Sequence, residues 1–257
     1  MKKANQKMRR RNSSFAQRPS KRYDGVILQI RKAGALQQIM TVFTKQEGCI
    51  RVLVQKRRQS SQGFGLLMAW GEITFDAVEQ QEFFTLREYE CRSNSAMTSL
   101  TWEGYVYSQI FAEMVMYLMP VHQTDWEVYR LLQIYGRAIE IKDIRIVTII
   151  AGWQLIVYSG FEPNVDSVCL FRYGMRGGIP LYYLGDEPQE AARKESIPLP
   201  VRRLWKQILT YRWGQEETLH MNVRGLQLLE YLLYSYVEQC SDKPLKGVSL
   251  LEIKNDL

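Results

Sequence analysis

The spacing of apolar residues separates the chain into two parts. Over residues 23–91, apolar side chains alternate with polar or small ones, most clearly at Val26, Leu28 and Ile30 and again at Ile50, Val52 and Val54. A period of two is typical of strands with one buried face. We predict five strands, at residues 24–31, 36–44, 49–56, 66–77 and 83–91. Five short strands in succession favour an OB-fold barrel.

The period changes to about 3.6 residues after Asn94, which is typical of helices. One helical stripe holds Tyr105, Ile110, Met114, Tyr117 and Leu118, and further helices are predicted at 125–140, 143–158, 200–213, 223–239 and near Leu250. Residues 161–197 are the least regular part, with several glycines and prolines. The predicted class is therefore α+β, with an OB-fold domain at 23–95 and a mainly helical domain at 96–257 that carries an irregular insertion at about 161–197.

The first 22 residues have a different composition. They hold nine Lys and Arg residues, no acidic residue and one aromatic residue, Phe15. Such a segment cannot bury enough apolar area to offset the entropy of ordering it, so we predict a basic disordered tail at 1–22. The chain as a whole carries a net charge of +7. Without the tail, 25 basic residues face 27 acidic ones, so any affinity for nucleic acid must come from the tail and from local asymmetry.

That asymmetry lies within the predicted barrel. Residues 24–58 hold seven basic and two acidic residues, whereas residues 72–90 hold six acidic residues and only Arg87 as a basic one. One end of the domain is thus expected to be basic and the other acidic, and a positive side of a small barrel favours phosphate backbones. The candidate DNA contacts are Arg31, Lys32, Lys45, Arg51, Lys56, Arg57, Arg58 and Phe64 in the barrel and Arg9, Arg10 and Arg11 in the tail.

Each candidate also has a simpler interpretation. The run from Lys56 to Arg58 could be a solvated loop, and the tail could contact an anionic membrane or have no function. Phe64 lies between two glycines and could be exposed for stacking on a base. Trp70, the other aromatic candidate, is expected in the core.

The sequence does not indicate an enzyme. The two histidines, His122 and His220, lie far apart, and the chain has no His-x-x-x-His pair, no Gly-x-Ser-x-Gly sequence and no phosphate-binding loop. Four scattered cysteines without a Cys-x-x-Cys pair suit a reducing cytosol, so we expect a cytoplasmic protein; association with the nucleoid is expected only if the protein binds DNA. No cofactor and no membrane span are expected.

In this order of elements the chain resembles the RecO family of bacterial recombination mediators. The resemblance rests on short sequences in a shared order: DGVIL at 24–28, TVFT at 41–44, EGCIRV at 47–52, KRR at 56–58, GLL at 65–67 with Trp70, LRE at 86–88 with Glu90, GFEP at 160–163 and PLKG at 244–247. It implies an OB domain followed by a helical domain. It also implies binding of single- and double-stranded DNA, strand annealing, contact with the acidic C-terminal tail of single-stranded-DNA-binding protein, and cooperation with RecR in loading RecA.

Many members of this family carry a four-cysteine zinc module, and here the chain departs from them. The four ligand positions implied by the resemblance fall on Val168, Phe171, Leu181 and Leu184. None of these side chains can donate to zinc. We therefore expect a degenerate module without zinc, held by hydrophobic contacts.

The expected function is that of a non-catalytic recombination mediator. Two alternatives stay open: a generic OB-fold nucleic-acid-binding protein that does not anneal strands, and a protein-interaction scaffold that binds no nucleic acid.

Replacing Lys56, Arg57 and Arg58 by Ala should weaken DNA binding at every sequence tested, because phosphate contacts carry no sequence information. Each lost contact should reduce the salt slope of binding by ~0.7 on single strands and ~0.9 on duplex. Titrations at several salt concentrations measure this slope, and an unchanged slope would remove the run from the binding surface.

Overall fold

The computed structural model describes residues 19–55, 66–80, 83–186, 192–214, 219 and 222–252. The chain divides into two compact units. The first comprises Met1–Ser93 with Val121–Thr124, and the second comprises Asn94–Pro120 with Asp125–Leu257. The architecture is α+β. Among the described residues, no helix has the length and apolar character that crossing a membrane requires.

The first unit is built around the predicted barrel, which is confirmed as a closed, OB-like one. Its strands are β1 (Lys21–Lys32), β2 (Gln37–Thr44), β3 (Gly48–Gln55), β4 (Glu72–Gln80) and β5 (Phe83–Arg92). They follow the order β1-β2-β3-β5-β4 around the barrel, and β1 pairs with β4 to close it. The alternating side chains that point inward form one core, made of Tyr23, Ile27, Met40, Val42, Ile50, Val52, Val54, Ile73, Phe75, Ala77 and Phe84.

Two strand bounds differ from the sequence prediction. β1 begins at Lys21, so Lys21 and Arg22 are strand residues rather than part of a tail. The prediction of strand structure over 66–71 is wrong, because this segment turns back over β1. The N–H of Trp70 donates to the carbonyl of Ile27 at 2.6 Å, and the N–H of Ile27 donates to the carbonyl of Gly71 at 3.0 Å.

The second unit contains a short 3-10 helix (Ser95–Thr98) and six α-helices among its described residues. The α-helices are α1 (Trp102–Leu118), α2 (Trp126–Ala138), α3 (Ile144–Tyr158), α4 (Leu199–Leu209), α5 (Val223–Ser241) and α6 (Lys246–Glu252). Four of them begin directly after a side chain that accepts a hydrogen bond from a first-turn N–H: Thr101, Asp125, Asp143 and Asn222. Such caps satisfy backbone donors that a helix start leaves unpaired.

Residues 161–197, described above as the least regular part of the sequence, contain a three-stranded sheet. It consists of β6 (Cys169–Arg176), β7 (Ile179–Gly185) and β8 (Arg193–Glu195) in the order β7-β6-β8. Gly177 and Gly178 both have positive φ, 52° and 80°, as a two-residue hairpin turn requires. The outer edge of β7 is satisfied by α5, since the Tyr182 N–H donates to Ser235 and Leu184 exchanges two hydrogen bonds with Gln239.

A buried carboxylate joins three helices of this unit. Glu230 on α5 is 3% exposed. Its Oε1 accepts hydrogen bonds from the hydroxyls of Tyr107 on α1, at 2.9 Å, and Tyr234 on α5, at 2.8 Å. Its Oε2 accepts from Nε and Nη2 of Arg145 on α3, at 3.0 and 2.6 Å. Four donors therefore satisfy one buried charge, and burial together with that negative charge raises the pKa of both tyrosines.

The four positions expected to lack zinc lie in and beside the β6–β7 hairpin. Val168, Phe171 and Leu184 are buried and Leu181 is half-buried. Arg202 on α4 adds a polar tie, because its guanidinium donates to the carbonyls of Val165, Asp166 and Val168. In the part of the chain that the structure describes, no group of three or more His, Cys, Asp or Glu side chains could hold a metal ion.

Glu230→Gln should lower the free energy of unfolding by roughly 2 to 4 kcal/mol, since it leaves a partly buried guanidinium without its counter-charge. The matched control is Glu127→Gln, because Glu127 pairs with Arg130 at the surface with both side chains more than half exposed. That control should cost no more than about 0.5 kcal/mol. Urea unfolding followed by circular dichroism measures both, and equal shifts would contradict a structural role for the buried carboxylate.

Arg202→Ala should lower the unfolding free energy by about 2 kcal/mol, because it leaves several backbone carbonyls without a charged donor. Arg203→Ala, at the exposed neighbouring position on α4, is the control.

A chelator should leave the thermal midpoint of the parent protein unchanged. If elemental analysis finds about one zinc per chain, the zinc-less interpretation is overturned, and with it the assignment of the four ligand positions.

Candidate nucleic-acid interface

The register of β1, β2 and β3 places two arginines on one outer face of the barrel. Arg31 lies opposite Ile39, which lies opposite Leu53, and Gln29 lies opposite Thr41, which lies opposite Arg51. Their sequence neighbours Ile30, Met40 and Val52 pack in the core. We call this outer surface the open face and define it by Gln29, Arg31, Ile39, Thr41, Arg51 and Leu53, of which Thr41 is itself buried.

The open face combines cations with a neutral surface. Arg31 and Arg51 are both exposed and lie two strands and two residues apart. Their Cα atoms are about 12 Å apart, given strand spacings of about 4.8 Å and a rise of about 3.3 Å per residue. The four other residues are uncharged. Arginines on a surface without carboxylates are suited to bind phosphates, and strands 2 and 3 are where OB-folds hold oligonucleotides.

The next row of side chains marks where the open face ends. Phe43 and Cys49 lie opposite each other there, and both are buried. Val121 forms a parallel bridge with Cys49, and the N–H of His122 donates to the Cys49 carbonyl at 3.4 Å. Burial raises the pKa of the Cys49 thiol to about 11 even though Arg51 nearby acts in the opposite direction. This cysteine is therefore a protonated packing residue at neutral pH.

Lys32 and Lys45 occupy opposite ends of the barrel. Lys32 is exposed at the end of β1, in register with Gln38, at the end where β3 finishes at Gln55. Lys45 lies in the β2–β3 turn, where its N–H donates to the carbonyl of Asp24 at 2.8 Å. The structure thus brings Lys32 close to Arg31 and the open face, but it does not bring Lys45 there.

Seven of the sequence candidates lie outside the described residues: Arg9, Arg10, Arg11, Lys56, Arg57, Arg58 and Phe64. In the sequence, Lys56 follows directly after the last residue of β3. Trp70 is 2% exposed, which confirms the expectation that it is a core residue.

The acidic residues gather on a second outer surface, made by the start of β1 with β4 and β5. Its rows are Arg22–Asp76–Glu88, Asp24–Thr74–Glu90 and Val26–Glu72–Arg92. Val26, at the edge of this surface, is buried. We call this surface the acidic face. It holds five acidic and two basic side chains, a net charge of −3. The contrast predicted between two ends of the domain is therefore a contrast between two surfaces of the barrel wall.

Sequence reasoning missed a cavity in the second unit. It has a volume of about 310 Å³, and its lining includes Trp102, Tyr231, Leu250 and the Arg145–Glu230 pair. Trp102 is 59% exposed and stacks on Tyr105 at a ring distance of 6.2 Å. An exposed tryptophan beside a cavity is a common anchor point for a protein partner. No local pattern could have indicated this site, because its residues come from several separate elements.

No protein-family model matches the chain, and no curated protein matches it. The function is therefore inferred from the residues and geometry of the chain itself.

Proposed function

We propose that this protein is a DNA-binding recombination mediator. It anneals complementary strands and helps to load the recombinase onto single strands coated with single-stranded-DNA-binding protein. The observation that carries the proposal is the open face: an OB-like barrel presents Arg31 and Arg51 on a surface without carboxylates, while the acidic residues lie on another face. The short sequences that the chain shares, in the same order, with RecO proteins support recombination as the process in which it binds nucleic acid.

The mechanism is electrostatic. Arg31 and Arg51 bind phosphates of one strand, and binding releases the counterions that surround the backbone. Phosphates of a second strand bind to the other candidate cations, which are Lys32, the run from Lys56 to Arg58 and the tail. Holding two strands close to one cationic surface reduces their mutual repulsion and accelerates pairing. The proposed mechanism uses no catalytic group.

The second unit supplies the contact with protein partners. Its cavity, with Trp102 exposed at the side, offers an aromatic anchor of the kind that short peptides use. The proposed partners are RecR and the acidic C-terminal tail of single-stranded-DNA-binding protein. No local sequence pattern assigns either partner to particular residues of this unit.

Replacing Arg31 and Arg51 together by Gln should weaken binding to DNA of any sequence and reduce the salt slope by roughly 1.4 on single strands, since two phosphate contacts are lost. The control is Lys45→Gln, which also removes a cation but lies at the other end of β2. It should change the slope by less than half as much. Fluorescence anisotropy of labelled oligonucleotides over a range of salt measures these slopes. Equal effects per charge removed, that is, a control effect half as large as that of the double variant, would show that overall charge, and not the open face, determines binding.

Strand annealing in the presence of single-stranded-DNA-binding protein separates the mediator from its alternatives. A mediator should increase the annealing rate of coated complementary strands. A generic OB-fold protein would bind the oligonucleotide without accelerating annealing. A scaffold would show no salt-dependent binding at all, even at low ionic strength.

A further inference from the structure

The acidic face carries more carboxylates than cations. Arg22 lies opposite Asp76 and Arg92 lies opposite Glu72, and a net charge of −3 remains. Asp76 on β4 lies directly opposite Glu88 on β5, and Glu90 lies two residues further along the same side. Asp76 is half-buried, whereas Glu88 and Glu90 are exposed. Within the described part of the chain, these three carboxylates form no hydrogen bond or ion pair. Like charges directly opposite each other destabilise a strand pair, so a cation placed between them would stabilise it.

The other two acidic residues of this face, Glu72 and Asp24, are already engaged. Asp24 accepts a hydrogen bond from the Thr74 hydroxyl at 2.8 Å and another from the Gln46 amide at 3.2 Å. The carboxylates open to an additional cation are therefore Asp76, Glu88 and Glu90, which lie together on the side of the acidic face where β1 begins.

The chain itself brings cations to this place. Residues 1–18, outside the described part, carry seven Lys and Arg residues and no acidic residue. They join the barrel at Lys21, opposite Ala77 and one residue before Arg22, which lies opposite Asp76. Arg9, Arg10 and Arg11 are ten to twelve residues before Lys21, so the chain can reach up to about 35 Å from that point. The acidic face is three strands wide, about 10 Å.

We propose that residues 2–18 bind to the acidic face of their own barrel, with arginine and lysine side chains on Asp76, Glu88 and Glu90. The net charges are +7 for the segment and −3 for the face, so the segment keeps excess positive charge when bound. Because the proposed function gives the same segment a role in DNA binding, the acidic face competes with DNA phosphates for it. Docking on this face thus holds the tail against the barrel until a nucleic acid is present. This consequence rests on the proposed function, whereas the docking itself does not.

Zero-length carbodiimide cross-linking of the full chain tests the docking directly, because it joins an amine to a carboxylate only when they are in contact. Peptide mapping should find Lys2, Lys3 or Lys7 joined to Asp76, Glu88 or Glu90 in a product of monomer size. Lys21 and Glu79, whose charged atoms are 3.9 Å apart, provide the internal reference. The tail products should fall at least about tenfold between 0.01 M and 1 M salt, since the Debye length shrinks from about 30 Å to about 3 Å.

Substitutions in the tail provide matched variants that keep the reactive lysines. Replacing Arg9, Arg10 and Arg11 by Gln should reduce the tail products several-fold, whereas replacing the same residues by Lys should preserve them. The docking is overturned if the tail lysines react equally with exposed acids of the second unit such as Glu127 and Glu140. It is also overturned if the products are of dimer size, or if the Gln variant cross-links as well as the parent chain.

A separate arm adds unlabelled single-stranded DNA before cross-linking. If the segment leaves the face for phosphates, the tail products should decrease while the Lys21–Glu79 product stays constant. Tail products that persist on a chain with DNA bound would overturn the competition and leave the docking intact. The absence of any DNA binding would instead count against the proposed function, so the two failures are distinguishable.

Discussion

Closure of the barrel through β1 is the constraint on which the arrangement of charges depends. The first half of β1, from Lys21 to Val26, pairs with β4, and the second half, from Gly25 to Lys32, pairs with β2. One strand therefore contributes Asp24 to the acidic face and Arg31 to the open face. The two pairings overlap at Gly25 and Val26. A Cβ atom at Gly25 would collide with Val42 and approach the Phe43 carbonyl. Glycine is required there because β2 comes too close for any side chain.

The separation of charge follows from this closure, because the register of each strand determines whether a residue lies on the acidic face or on the open face. In β1, β4 and β5 the residues that alternate with the core side chains are mostly acidic, whereas in β2 and β3 they are uncharged apart from Arg51. A bulge in β1 between Ile27 and Gln29 changes the phase of the alternation just before Arg31. Without that bulge, Arg31 would point into the core and Ile30 to solvent. A one-residue irregularity thus places the first arginine of the candidate interface on the surface.

The sequence predicted the barrel well because its segments alternate with a period of two, a pattern that helices do not produce. It could not predict the interface, since pairing partners such as Arg31, Ile39 and Leu53 are distant in sequence and only the register brings them together. Lys45 shows why the sequence alone could not locate the interface. It is a cation close to Arg51 in the sequence, yet the β2–β3 turn places it beside Asp24. The β6–β7 hairpin was missed although Gly177–Gly178 is a strong turn signal, because the nearby prolines and glycines obscured the two short strands on either side.

The two sets of cations in the first unit differ in what they can recognise. Arg31 and Arg51 lie on paired strands, so the spacing of their Cα atoms is fixed. Under the proposed function, this spacing favours a backbone that presents phosphates at a matching distance. The cations of residues 2–18 supply a larger charge, so they attract any polyanion, including a carboxylate face. Under the two proposals, the acidic face with its net charge of −3 has two effects. It repels nucleic acid from the wrong side of the barrel, and it offers the tail a weaker partner that a phosphate backbone, with its higher charge density, can displace.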